Sequence, residues 1–274
     1  MMHEYYSYTA KELMAAPKIP LQILKDNNEV FRTMADEMIT VIQEKAMKKE
    51  QCVMICPVGP VGQYPYFVER VNREGISLKH CWFINMDEYL DDNREWVSID
   101  HPLSFRGFMK RNVYDRIRPE LNVPEEQRVF PDPHDIQRIP NLICQLGGVD
   151  AAFGGIGING HLAFNEPQSE LTAEEFALLQ TRVLEISRET RTANAIGDFG
   201  GALEDMPKYC VTIGFREISE AKMIRLGVFR NWHSAVVRRA AYGEVTSEFP
   251  VSILQGRDDV LIRMTEYVAG VESC

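Results

Sequence analysis

The feature that most restricts how this 274-residue chain can fold is a regular exchange of short, unbroken apolar runs with longer amphipathic stretches. Asn27 to Lys49 sets Val30, Phe31, Met34, Met38, Val41 and Ile42 at spacings of three and four with charges between them, which predicts a helix with one buried face. Cys52-Val53-Met54-Ile55-Cys56 follows and stops at Pro57, a run short and apolar enough to predict a strand buried on both faces. The exchange recurs with a helix from Tyr64 to Asn72, a strand at Cys81-Trp82-Phe83-Ile84, helices near Pro102 to Ile117 and Ile136 to Leu146, and a strand at Ala151-Ala152-Phe153. Further apolar runs lie at Tyr209-Ile213, Met223-Phe229 and Val251-Leu254, with a helix over Ser234 to Ala241. Repeated strand and helix units predict an α/β fold, a Rossmann-like, mainly parallel sheet with helices on both faces. It is expected as a single domain over residues 21–274 behind a polar leader of residues 1–20.

Composition narrows the function classes. A formal net charge of -10 argues against a nucleic-acid partner, because such proteins neutralise phosphates with clustered Lys and Arg. An anionic substrate would need locally placed donors. Cys52, Cys56, Cys81, Cys144, Cys210 and Cys274 form no CxxC pair and no Cys/His cluster with zinc spacing, so reduced core thiols and no metal are expected. The first residues show no basic segment followed by an apolar stretch, and no run approaches membrane-spanning length, so a cytoplasmic location and no membrane partner are expected.

In parallel sheets, ligands bind outside the carboxyl ends of the strands. Three predicted strands end in candidate site loops: Pro57-Val58-Gly59-Pro60-Val61-Gly62, Asn85-Met86-Asp87-Glu88-Tyr89, and Gly154-Gly155-Ile156-Gly157-Ile158-Asn159-Gly160-His161. Taken alone, the glycines fit a flexible turn or a poor dinucleotide fingerprint. A His five residues before a Glu is, by itself, structural more often than catalytic.

The stretch GGIGINGHLAFNEP resembles the GxGxDGHxAFNEP signature of the glucosamine-6-phosphate isomerase/deaminase family, and NMDEY at Asn85 to Tyr89 resembles that family's second motif. Similarity continues in His101-Pro102-Leu103-Ser104-Phe105, Thr190-Arg191-Thr192-Ala193-Asn194 and Pro207-Lys208-Tyr209, so it runs from about Val53 to Leu254. The resemblance implies aldose-ketose isomerisation of a 2-amino sugar coupled to deamination. Asp87 would shuttle the proton between C2 and C1, a role suited to a partly buried carboxylate. His161 would open the pyranose ring, and Glu166 would orient its imidazole. Asn159 stands where most members have Asp; an amide holds the ring but cannot stabilise imidazolium, so His161 should lose its proton more easily.

The larger departure lies in the phosphate site that the resemblance implies. Members follow the first strand with a Gly-[Ser/Gly]-Thr-Pro turn that cradles the 6-phosphate, as expected of a nest before a helix. Here the turn is Gly59-Pro60-Val61-Gly62: Pro60 lacks an N–H and Val61 lacks a hydroxyl. The family's Arg falls at Ile196 and its late Lys near His233, so a bound phosphate loses several charge-assisted hydrogen bonds of roughly 1.5–3 kcal/mol each. Arg191, Arg230 or a half-charged His233 are the candidates to compensate.

Pro167 to Arg188 is polar and helix-prone, with Thr172-Ala173-Glu174-Glu175 as an N-cap signal; the resemblance implies an active-site lid here, and an ordinary surface helix is the alternative. The expected partner is a small-molecule sugar or sugar phosphate, with assembly as a homo-oligomer and no cofactor. Rival readings are a 6-phosphogluconolactonase-like hydrolase, a non-catalytic sugar sensor of the same fold, and a decayed enzyme. Phe164-Asn165-Glu166-Pro167 and NMDEY favour the isomerase side over the hydrolase.

Overall fold

The computed structural model describes residues 3–270. Its strands are β1 (Leu21–Leu24), β2 (Cys52–Cys56), β3 (Cys81–Asn85), β4 (Asp87–Leu90), β5 (Arg128–Val129), β6 (Ala151–Gly154), β7 (Arg182–Glu185), β8 (Tyr209–Thr212), β9 (Ile224–Val228) and β10 (Val260–Thr265). Seven of them form one sheet in the order β1-β10-β9-β6-β2-β3-β5, with every neighbouring pair parallel. The other three form a small antiparallel sheet in the order β4-β8-β7.

Period-two alternation divides the central strands between two apolar layers. Cys52, Met54, Cys56 and Phe83 face the Asn27–Lys48 and Gln63–Glu74 helices, against Met34, Met38, Ile42 and Phe67. Val53, Ile55 and Ile84 belong to the opposite layer, with Ile139, Phe215, Ile218 and Val237. Burial of each large apolar side chain stabilises the fold by roughly 1.5–3 kcal/mol. Helix ends follow local chemistry: the Asp26 carboxylate caps Glu29 N–H at 3.0 Å, and Gly75 closes the Gln63–Glu74 helix in the left-handed region at φ 66°. No described helix is long and apolar enough to cross a membrane.

Several elements differ from the sequence-based expectations. Val251–Leu254 lies in a 3₁₀ helix, Pro250–Leu254, because Pro250 presets its first turn. The last strand is instead β10, whose apolar run is interrupted by Arg263; that side chain is buried but paired with Glu37 and Gln22. Tyr209–Thr212 joins the small sheet, and the helix expected from Pro102 ends at Asn112 and is followed by a 3₁₀ turn at Tyr114–Arg116. Before β1, Leu13 and Ile19 enter the core and the Tyr8 carbonyl accepts two hydrogen bonds from Arg238. Cys52, Cys56, Cys81 and Cys210 are buried, Cys144 is exposed, and Cys274 lies outside the described residues.

Candidate active site

Because β9, β6, β2 and β3 are parallel neighbours, the segments leaving them converge: Phe229 to His233, Gly155 to His161, Pro57 to Gly62, and Met86 to Asp87. They enclose a cavity of about 470 Å³. Tyr89 and Phe164, which belong to a third and smaller apolar cluster with Ile186, Met206 and Cys210, close one side, with ring centroids 5.5 Å apart.

Asp87 opens β4 opposite Thr212 and reaches the cavity while only 7% exposed. Burial, and then the neighbouring Glu88, push its carboxyl well above the ordinary value of 3.8. The next residue alternates to the other side of the strand. Glu88 accepts hydrogen bonds from Ser104 Oγ and from Tyr89, Phe105 and Arg106 N–H, all at 2.9 Å, and from Arg106 Nε at 3.1 Å. It fastens β4 to the start of the Phe105–Asn112 helix and thereby fixes Asp87.

The imidazole of His161 lies against the flat face of Gly157. Its Nδ1 is 2.7 Å from Asn159 Oδ1, which assigns the proton to Nδ1 and leaves Nε2 as the acceptor. Asn159 Nδ2 in turn donates to Glu166 Oε2 at 2.7 Å. Glu166 Oε2 stands 3.8 Å from the imidazole, beyond hydrogen-bond reach, so Glu166 orients His161 through Asn159 rather than directly. Thr190 and Ser187 hydroxyls also donate to that carboxylate, each at 3.2 Å. Burial, opposed by Glu166, lowers the His161 pKa.

The turn expected to cradle phosphate has a different surface. Pro60 is buried and its carbonyl accepts from Gln63 Nε2 at 2.8 Å. The Phe31 ring covers Gly62 so closely that a Cβ there would fall 2.2 Å from it, and Phe229 meets Phe31 edge-on at 4.8 Å. Val61 completes this apolar wall.

His233 lines the cavity but is not a cation. Its Nδ1 accepts from Phe229 and Arg230 N–H, its Nε2 donates to the Ile156 carbonyl, and burial lowers its pKa to about 3. The expectation of a half-charged His233 is thus corrected. Arg191 does not line the cavity; the same helix turns Asn194 and Asp198 toward it instead. Ile196 is exposed and borders an outer groove. Arg230 does line the cavity, paired with Asp198 at 2.7 Å.

Sequence reasoning gave no role to Glu88, Thr190, Asn194 or Asp198. Glu88 carried no signal of its own, since it lies 16 residues before the Ser104 cap and meets that helix start only in the fold. Among the described residues, no group of three or more His, Cys, Asp and Glu side chains is arranged to hold a metal ion.

No family model matches the chain. It is 33% identical over 215 residues to the glucosamine-6-phosphate deaminase of Exiguobacterium sibiricum, with 78% of each chain covered. It is 31% identical to that of Cronobacter sakazakii, covering 74% of this chain and 73% of the relative. A solved monomeric glucosamine-6-phosphate deaminase superposes with a TM-score of 0.78 at 25% identity, over 92% of this chain and 99% of that one. The 6-phosphogluconolactonase of Thermotoga maritima shares the fold, with a TM-score of 0.64 at 13% identity, over 90% of this chain and 99% of that one. With relatives above 30% identity aligned over more than two thirds of its length, the chain belongs to the glucosamine-6-phosphate deaminase family.

Proposed function

We propose that the chain isomerises and deaminates a 2-amino sugar whose C6 end carries no phosphate. The observation that supports this most is the convergence of Asp87 and His161 on one cavity from separate strand ends, with Nε2 of the imidazole unoccupied by the protein. His161 Nε2 takes the proton of the anomeric hydroxyl and returns it to the ring oxygen, opening the pyranose. Asp87, as carboxylate, removes the C2 proton while the aldehyde O1 takes a proton from solvent, which gives an enolamine. It then delivers that proton to C1, leaving a ketiminium at C2. Water adds to C2 and ammonia departs, leaving the ketose.

The C6 half of the reading rests on the far wall. Pro60 offers no N–H, Phe31 covers Gly62 and is backed edge-on by Phe229, and His233 is neutral. A phosphate dianion would meet methyl and aromatic groups there, and leaving its charge without partners is costly.

Ammonia release across free and 6-phosphorylated 2-amino sugars tests both halves, with Asp87→Asn as the blank. Turnover of free glucosamine with a higher kcat/KM than its 6-phosphate is expected. Preference for the phosphate ester would overturn the C6 claim, and ammonia release unaffected by Asp87→Asn would overturn the catalytic one.

A further inference from the structure

We infer that Asp198 is the specificity-determining residue at the C6 end of the cavity: it occupies Arg230, turns away phosphate and accepts a hydroxyl instead. The inference rests on the proposed amino-sugar reading. Arg230 is the one Lys or Arg among the described residues that line the cavity, so it alone could supply a full positive charge to an anionic substrate there. Its Nη2 donates to Asp198 Oδ1 at 2.7 Å. Asp198 lines the same cavity from the end of the Arg188–Asp198 helix, and the guanidinium lies across Gly197 of that helix, so it is braced on two sides.

The pair carries no net charge. A phosphate ester reaching Arg230 must therefore displace Asp198 or sit beside it as a like charge, and nothing else on the wall offsets that repulsion. A hydroxyl faces no such conflict. Asp198 is half exposed, at 51%, and binds Arg230 through Oδ1, which leaves Oδ2 to accept a sugar O–H while an Arg230 N–H donates to the same oxygen. A site built to bond a hydroxyl discriminates strongly against ligands that cannot make that bond.

The test is equilibrium binding of glucosamine and glucosamine 6-phosphate by calorimetry in the non-reacting Asp87→Asn background, with and without Asp198→Asn. Asp198→Asn should tighten the 6-phosphate at least tenfold and weaken the free sugar threefold or more. Adding Arg230→Met should abolish the gain. Asp198→Ser serves as a second variant should the amide re-form the pair. A ratio of the two dissociation constants that moves by less than twofold in both Asp198 variants overturns the assignment. So does tighter binding of the phosphate ester than of the free sugar when Asp198 is present. If the ratio switches but the Asp87 enzyme releases ammonia from neither sugar, the deaminase reading fails and Asp198 stands as the discriminating residue.

Discussion

The amide oxygen of Asn159 lies 2.7 Å from His161 Nδ1, and its nitrogen, on the other side, 2.7 Å from Glu166 Oε2. The amide is thus the middle member of a three-residue line, donor on one side and acceptor on the other. Replacing it with Asp sets two carboxylates face to face where an N–H···O bond had been, and both cannot stay ionised in so buried a place. Asn159→Asp alone should therefore cost roughly 1–3 kcal/mol of stability, measured by urea unfolding. Adding Glu166→Gln restores a donor and should recover most of that loss. It also leaves a carboxylate on His161 Nδ1, which raises the imidazole pKa and moves the acid limb of the pH-rate profile upward. Failure of the second change to rescue the first would show that the line is not the organising contact.

Asp87 makes a separate pH prediction. Its carboxyl is held above 3.8 in the folded protein, and catalysis needs it ionised, so kcat/KM should rise with pH through a midpoint above the ordinary carboxylate range. Burial lowers the His161 pKa, so any limb the imidazole adds lies below its ordinary value of 6.5. The sign for stability is opposite. Between 3.8 and the raised folded value, the native state holds a proton that the unfolded state has lost. The stabilisation is complete below the unfolded value and disappears as pH rises through the folded one. Asp87→Asn, which never ionises, should melt above wild type at pH 7, with the difference shrinking as pH falls through the raised folded value and gone below about 4. Equal melting temperatures at both pH values would mean the carboxyl is not held high.

Much of the sheet could be read directly from residues, because β2, β3 and β6 are unbroken apolar runs ended by Pro, Asn or Gly. β10 escaped because Arg263 sits inside it, and its burial makes sense only once Glu37 arrives from a helix more than 200 residues away. The Asp87–Leu90 segment read as a polar turn for a similar reason: Asp87 and Glu88 look solvated until the small sheet and the Ser104 cap enclose them. At the site, Asp87, His161, Asn159 and Glu166 were visible as motif residues, but the route from Glu166 to His161 through Asn159 is a matter of distances. The Asp198–Arg230 pair joins two segments 32 residues apart that carry no common pattern.

Glu88 should be structural in a way that an adjacent acid normally is not. Its side chain is fully buried and accepts five hydrogen bonds, four of them from Ser104, Phe105 and Arg106. Glu88→Ala strands those donors and Arg106, and removing one partner of a buried pair typically costs about 3–5 kcal/mol. Glu88→Gln keeps the shape and loses less. Because the same contacts position Asp87, kcat in Glu88→Gln should fall while KM changes little. A wild-type unfolding midpoint in Glu88→Ala would contradict this role.

Gly157 tests how closely the imidazole is seated. A Cβ at this position would lie 2.0 Å from His161 Cε1 and 2.1 Å from Nε2, far inside contact distance. The φ of Gly157 is outside the left-handed region, so alanine suits the backbone and the conflict is with the ring alone. The ring cannot simply slide, because its Nδ1 is held by Asn159 and Phe164 lies 6.2 Å from it on centroids. Gly157→Ala must therefore break the Asn159 contact or shift the loop, moving Nε2 by about an ångström, and misplacement of that size can cost about 10²-fold in rate. Thermal unfolding should change far less than kcat, since the cavity can take up the displaced ring. Ring opening is the step His161 serves, so a substrate supplied in open-chain form should recover part of the lost activity in Gly157→Ala and none of it in Asp87→Asn.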